Sequence, residues 1–493
     1  MTNKPEDRIP FFSFLKSKDQ YLDWGIIVCC CLLGYIFLKV CHPYPATMSD
    51  STSYVYCAQQ DVFFTYRPFG YSYFLQIVHL FSASIHTLFI VQITLYALTA
   101  AGLAFTIKYF FTPINRTVWS VLLFFFVCSP LAFYMANAIM SDLLFAVTIY
   151  IMLASAVFIL KRQSWIGLGL FLIALFCALH IRYSAILFPL LFMGLFLFNK
   201  GKIRWISIAA IISVTFIFYQ QIKENMYETT RLKQFSTGFD GWQMANNAMH
   251  IEPFINLNPN HIKNKEIAQL HYFMTLYKEK IATMTNNGKN VSAGFMWLND
   301  LPLKQYLDLY IDATNESYPI AWSKLGSNQY REYGQYMITR YPWLFLKYYF
   351  LPNAKQVFYP SSTGIMGVYE PIDIQEYTYF QFPSNVDTKA RYNLFTRLIT
   401  PIIPVLYVLL WIITAAIVAL TIYYRKSFHL DRESKVLFGF FILFGLAYYA
   451  STVFASPIEL RYWLPMNAIH FTYIYISLNY IMKALCYKKQ TVQ

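Results

Sequence analysis

Six charged side chains stand where a strongly apolar chain would not be expected to put them. Asp50 in MSDSTSY, Arg67 in RPFGYSYFL, Asp142 in MSDLLF, Arg182 in HIRYS, and Glu459 with Arg461 in SPIELRYWLP all adjoin apolar runs. Ionisable groups beside a hydrocarbon layer are costly, so those that are not simple anchors become candidate site residues. One arginine at a helix end is ordinarily an interfacial snorkeller, and six such residues could also close into structural salt bridges. Their distribution argues for a site, because segments far apart in sequence deliver acids and arginines to the same membrane face. Arginine's planar fork grips phosphate bidentately, and a carboxylate near an acceptor hydroxyl can take its proton as a glycosyl bond breaks. That pairing suits sugar transfer from a polyprenyl phosphate.

The elements that must hold these residues are membrane helices. The 493 residues are 57% hydrophobic and 13% charged, with a mean hydropathy of +0.39, so lipid has to solvate much of the chain. Apolar stretches long enough to cross a ~30 Å hydrocarbon core recur throughout. The expected fold is an all-α polytopic membrane protein of about ten helices, at 24–40, 87–111, 118–136, 143–160, 165–179, 184–198, 205–219, 398–424, 436–455 and 463–482. Basic residues gather before the first run, in every second gap between runs and after the last, which places them on one side: Lys4, Arg8, Lys16 and Lys18, then Lys108 and Arg116, Lys161 and Arg162, Lys200, Lys202 and Arg204, Arg425, Lys426, Arg432 and Lys435, and Lys488 with Lys489. By the positive-inside rule both termini are cytoplasmic and the six site candidates face outward. The +14 net charge is thus a topology signal and not the basic, aromatic-interleaved surface of a nucleic-acid binder. The polar start and the absence of a convincing cleavage site predict a retained first helix.

Three regions follow. Residues 1–219 form an N-terminal transmembrane module of about seven helices, with a first outer loop at 41–86. Residues 220–397 form an extracytoplasmic segment, polar, Asn-rich and mostly helical, and 398–493 a C-terminal module of about three helices. Two aromatic stretches, 69–81 and 341–351, read as helices lying at the interface. In GFDGWQMANNAMHI, Trp242, Asn246 and Asn247 could face a sugar or could equally form a local core. Most of the aromatic residues, 19% of the chain, are lipid-facing bulk and interfacial belt. Cys29, Cys30, Cys31, Cys128 and Cys177 read as buried apolar residues, whereas Cys41 and Cys57 share an outer loop where a disulfide is possible. No CxxC or HExxH pattern and no acid nearer Asp50 than Asp61 supports a metal site.

The motifs resemble those of the GT-C glycosyltransferases, multi-helix membrane enzymes that include protein O-mannosyltransferases and the lipid A aminoarabinose transferase. SDSTSYVYCAQ resembles the family's first-loop Asp stretch, and RPFGYSY its Arg-x-x-Gly-Tyr interfacial segment. Asp142 stands where many relatives have Glu at the start of the fourth helix, Arg182 follows the fifth, and Glu459, Arg461, Tyr462 and Pro465 match an E-x-R-Y-x-x-P run. The likeness covers roughly the first 200 residues and the last 60; GFDGWQMANNAMHI has no counterpart in it. It implies an inverting, single-displacement transfer with Asp50 as the catalytic base or acceptor-orienting carboxylate, Asp142 orienting the acceptor or a neighbouring arginine or serving a structural role, and Arg67, Arg182 and Arg461 holding lipid phosphate. Tyr71, Glu459 and Tyr462 join the substrate-binding set. No metal or other cofactor is expected; the partners are the polyprenyl-phosphate sugar, a lipid, glycan or protein acceptor, and membrane lipids.

A transporter or lipid flippase is the alternative, and would need polar groups near mid-bilayer and broken helices. An oligosaccharide polymerase or ligase would carry its acids in a late outer loop. The Lys-, Asn-, Ile- and Tyr-rich usage together with the family resemblance points to a bacterial inner membrane with a periplasmic site; an endoplasmic reticulum enzyme would follow the same logic with the lumen as outside, and the sequons at Asn290 and Asn315 are of a kind common by chance.

Overall fold

A computed structural model describes residues 9–41, 46–48, 50–63, 67–111, 115–235, 238–360, 379–381, 394–424 and 431–492. The expected Lys4, Arg8, Arg425 and Lys426 anchors, the 361–378 and 382–393 parts of the middle segment, and the side chains of Cys41, Lys488 and Lys489 lie outside the described residues. So does the possible Cys41–Cys57 disulfide.

The secondary structure is helical, apart from isolated bridges between Ala46 and Ala138 and between Ser84 and Gln381. The first module runs α1 (Tyr21–Cys41), α2 (Ser51–Gln60), α3 (Gly70–Phe81), α4 (Ile85–Phe110), α5 (Arg116–Val127), α6 (Pro130–Ala136), α7 (Ser141–Arg162), α8 (Trp165–Ile181), α9 (Phe188–Phe196) and α10 (Gly201–Thr230). The middle segment holds α11 (Phe239–Met249), α12 (Lys265–Thr275), α13 (Pro302–Thr314), α14 (Tyr318–Leu325), α15 (Arg331–Arg340) and α16 (Leu351–Phe358). The last module is α17 (Leu394–Tyr423), α18 (Arg432–Ala455) and α19 (Leu464–Val492).

Among the described residues seven helices are long and apolar enough to cross a membrane, against the expected ten or so. The shortfall has local causes. Pro189 sits in the first turn of α9, after a 3-10 turn at Tyr183–Leu187, so the apolar 184–198 run is not one continuous α-helix. Pro130 divides the 118–136 run into α5 and α6, with Ser129 capping the new start by accepting from the Ala132 N–H, yet Arg116–Ala136 taken together remains one of the seven. α8 is apolar but has only 17 residues, and α10 overruns its expected end at 219 to reach Thr230. α7 is apolar on all sides and sits at the centre, with Leu153, Ala156 and Val157 fully buried. α17 turns most of its surface outward, exposing Ile402, Leu409, Ile412 and Ile413, as a lipid-facing helix would.

The middle segment has its own core, closed around Trp242, Trp322, Tyr330 and Tyr333. The glycines of GFDGW explain its tightness. A Cβ on Gly241 would lie 1.7 Å from the Gly326 carbonyl, so α11 and the turn after α14 approach at backbone contact. That approach lets Trp242 stack on Trp322 at 3.8 Å with its indole N–H bonded to the Trp322 carbonyl. Trp242, Asn246 and Asn247 are all buried. Of the two readings of GFDGWQMANNAMHI, the structure chooses the local core.

Candidate functional site

Residues 46–48 and the start of α2 are pinned against 137–139. Ala46 and Ile139 exchange backbone hydrogen bonds with 137–139 and 46 respectively, and the Ser51 hydroxyl donates to the Ile139 carbonyl at 2.9 Å. This brings Asp50, the N-cap of α2, beside Asp142, in the first turn of α7. α3 packs back on α2, its Ser72 hydroxyl donating to the Tyr54 carbonyl at 3.0 Å. The glycine of RPFGY is required there: a Cβ on Gly70 would stand 2.5 Å from the His180 carbonyl, at the end of α8. The same contact sets Arg67 near Arg182, the C-cap of α8. Asp142 at a helix N-terminus and Arg182 at a C-terminus each lie where the helix dipole favours their charge.

The ion pairs form one connected cluster. Arg67 donates to the Asp50 carboxylate at 2.5 Å and to its carbonyl at 3.3 Å. Arg182 donates to Asp142. Arg461 reaches across the cluster, with Nη1 3.3 Å from Asp50 Oδ2 and 4.0 Å from Asp142 Oδ2, and Nε 2.7 Å from Glu459 as a charge contact and not an aligned hydrogen bond. The Tyr462 ring lies between two guanidiniums, 5.3 Å from Arg182 and 5.6 Å from Arg461. Asp142 is 2% exposed against 24% for Asp50, and its Oδ2 has no hydrogen-bond partner among the described residues. Burial pushes the Asp50 carboxyl up, but the charges of Arg67 and Arg461 and the Arg67 hydrogen bond outweigh it and hold the group well below the usual carboxylate range.

Asp50, Arg67, Asp142, Arg182, Arg461 and Tyr462 are thus brought together, with Glu459 at the rim, 45% exposed. Tyr71 is not presented with them. It is fully buried, donates to Gln92 at 3.1 Å and packs edge-on against Tyr54, so it supports the loop from beneath. Asp61, the acid nearest Asp50 in sequence, accepts from Gln76 at 3.1 Å, and among the described residues no three of His, Cys, Asp and Glu gather as a metal-sized group.

Asn353 gave no signal as a site residue. It lies in the buried stripe Phe345, Tyr349, Asn353, Val357 of a continuous helix at 342–358. Its only trace in the sequence is an amide at i+4 spacing among apolar residues. Comparison with protein-family models, curated proteins and solved structures returns no match.

Proposed function

We propose that the chain is a GT-C-type glycosyltransferase that moves a sugar from a polyprenyl-phosphate donor to an acceptor at the outer face of a bacterial inner membrane. The observation that supports it most is the connected cluster of Asp50 and Asp142 with Arg67, Arg182 and Arg461, drawn from sequence-distant segments. In the proposed step the bond from the sugar anomeric carbon to the phosphate oxygen breaks with inversion. The acceptor oxygen bonds to that carbon and its proton passes to Asp50, while the arginines take the departing polyprenyl phosphate. Two arginines on Asp50 make it a weak base at rest. Phosphate drawing the same guanidiniums away would restore its basicity, so donor binding and base activation are one event.

This reading includes the remaining membrane crossings, at α8, the 184–198 run and α19, and puts both termini in the cytoplasm. A transporter or flippase would want acids and arginines at mid-span. Those described here pair at helix ends, which supports the enzyme. The test uses purified protein in nanodiscs with a panel of radiolabelled polyprenyl-phosphate sugars, reading release of free polyprenyl phosphate. Wild type should turn over at least one donor, and Asp50→Asn should lose about a hundredfold or more with folding unchanged. If the wild type consumes no member of the panel, the reading is wrong.

A further inference from the structure

We infer that the middle segment sets the position of Arg461, with Asn353 and Asn247 as positioning residues. The inference rests on the functional reading above only for its effect on turnover. α18 ends at Ala455, and the chain must then turn through SPIE to bring Arg461 over Asp50. The last carbonyls of a helix have no partner within it, and here they are met from outside. Asn247 donates to the carbonyls of Phe454 at 2.9 Å and Ala455 at 3.1 Å.

Asn353 goes further. Its amide nitrogen donates to the carbonyls of Val453 and Ser456, both at 2.8 Å, and its oxygen accepts from the Ile458 N–H at 2.7 Å. One carboxamide has two donors and one carbonyl oxygen, and all three are used on the turn that leads to Glu459 and Arg461. Only this orientation of the amide matches donors to acceptors, since two carbonyls face the nitrogen and an N–H faces the oxygen. The side chain is fully buried, so water does not substitute for these bonds. The Tyr448 hydroxyl donates to the Tyr462 carbonyl at 3.4 Å and holds the far side of the turn. The outer segment therefore grips the loop on both sides of the helix end, while the rest of the arginine's surroundings belong to the bundle.

The experiment pairs two readouts on the full chain in nanodiscs: amide exchange of 456–462 and donor turnover. Asn353→Ala should speed exchange in 456–462 while leaving 51–60 unchanged, and should lower turnover about tenfold or more. In an Arg461→Ala background it should cost nothing further, because it acts through that arginine. If Asn353→Ala does not fold, Asn247→Ala, which frees only the helix-end carbonyls, should give the same pattern more weakly. The control is Asn246→Ala, whose amide bonds the Ser292 carbonyl within the middle segment. Unchanged exchange at 456–462, an equal effect from Asn246→Ala, or independent losses from Asn353→Ala and Arg461→Ala would overturn the inference. Faster exchange in a protein whose wild type consumes no donor would uphold the positioning role and reject the transferase.

Discussion

The bundle carries ion pairs at both ends, and the two sets are built differently. At one end Lys108 and Arg116 meet Asp23, Lys161 meets Asp431, and Lys200 meets Glu433. These are largely separate pairs that double as helix-end fittings. Asp431 caps α18 by accepting from the Ser434 N–H at 2.7 Å, and Lys161 adds a bond to the Ser434 hydroxyl. In the cluster at the other end the paired cations among the described residues are the arginines Arg67, Arg182 and Arg461, and Arg461 contacts Glu459, Asp50 and Asp142 at once. Lysine is a compact point charge on a flexible stem and suits anchoring; the rigid guanidinium fork suits recognition of a planar or tetrahedral anion. Under the proposed function, the difference separates holding a helix in place from holding a ligand.

The sharpest way to break this comparison is to exchange the cations. Arg461→Lys keeps the charge and loses the fork, and should lower donor turnover about ten- to hundredfold, in line with charge-assisted bonds of about 1.5–3 kcal/mol. Lys161→Arg at the opposite end should leave turnover within about twofold of wild type, both measured as polyprenyl phosphate release. Equal losses at the two ends would erase the distinction. Next in size is Gly70→Ala, where a methyl against the His180 carbonyl should cost about 1–3 kcal/mol in thermal unfolding and reduce turnover by displacing Arg67.

A pH profile sharpens the comparison further. Removing a neighbouring positive charge raises a carboxyl's pKa, so Arg461→Ala should move the acid limb of residual kcat/KM, which reports the donor-free enzyme, to higher pH, towards the ordinary range near pH 4. An unmoved limb would mean that Asp50 is not the titrating group. Smallest of all, Asp431→Asn keeps the helix cap and breaks a pair whose acid is 58% exposed, so unfolding should shift by no more than about 1 kcal/mol.

The middle segment offers an independent test. His271 Nδ1 faces the Glu252 carboxylate at 2.9 Å and Nε2 faces the Leu257 carbonyl at 3.1 Å, while the Tyr333 hydroxyl also donates to Glu252. A carboxylate and a carbonyl facing the two ring nitrogens favour the form of the ring that carries both N–H groups. Burial opposes the charge, but the Glu252 hydrogen bond and charge prevail and raise the pKa above 6.5. A raised pKa stabilises the fold below the unfolded value, and that contribution is lost as pH rises through the folded one. Thermal stability should therefore fall as pH rises above about 6.5, and His271→Gln should flatten the dependence.

Much of the charge cluster was legible because membranes penalise charge: Asp50, Arg67, Asp142, Arg182 and Arg461 stand out against their apolar flanks. Tyr71 was misleading, since a tyrosine in an interfacial motif looks the same whether its hydroxyl meets substrate or Gln92. GFDGW could be read either way, because the Gly241–Gly326 approach that explains it joins residues far apart in sequence. Asn353 was invisible for the same reason, all three of its bonds to the 453–458 turn being a hundred or more residues away.

Composition and patterning by themselves determined that the chain is helical and apolar enough for a membrane, and which charges lie at helix ends, because hydrophobic periodicity and the cost of burying charge act locally. Tertiary structure alone decided that a glycine lets α3 meet α8, that Arg461 crosses to Asp50, and that two asparagines of the middle segment hold the end of α18. Each depends on distances between groups that the chain brings together only when it packs.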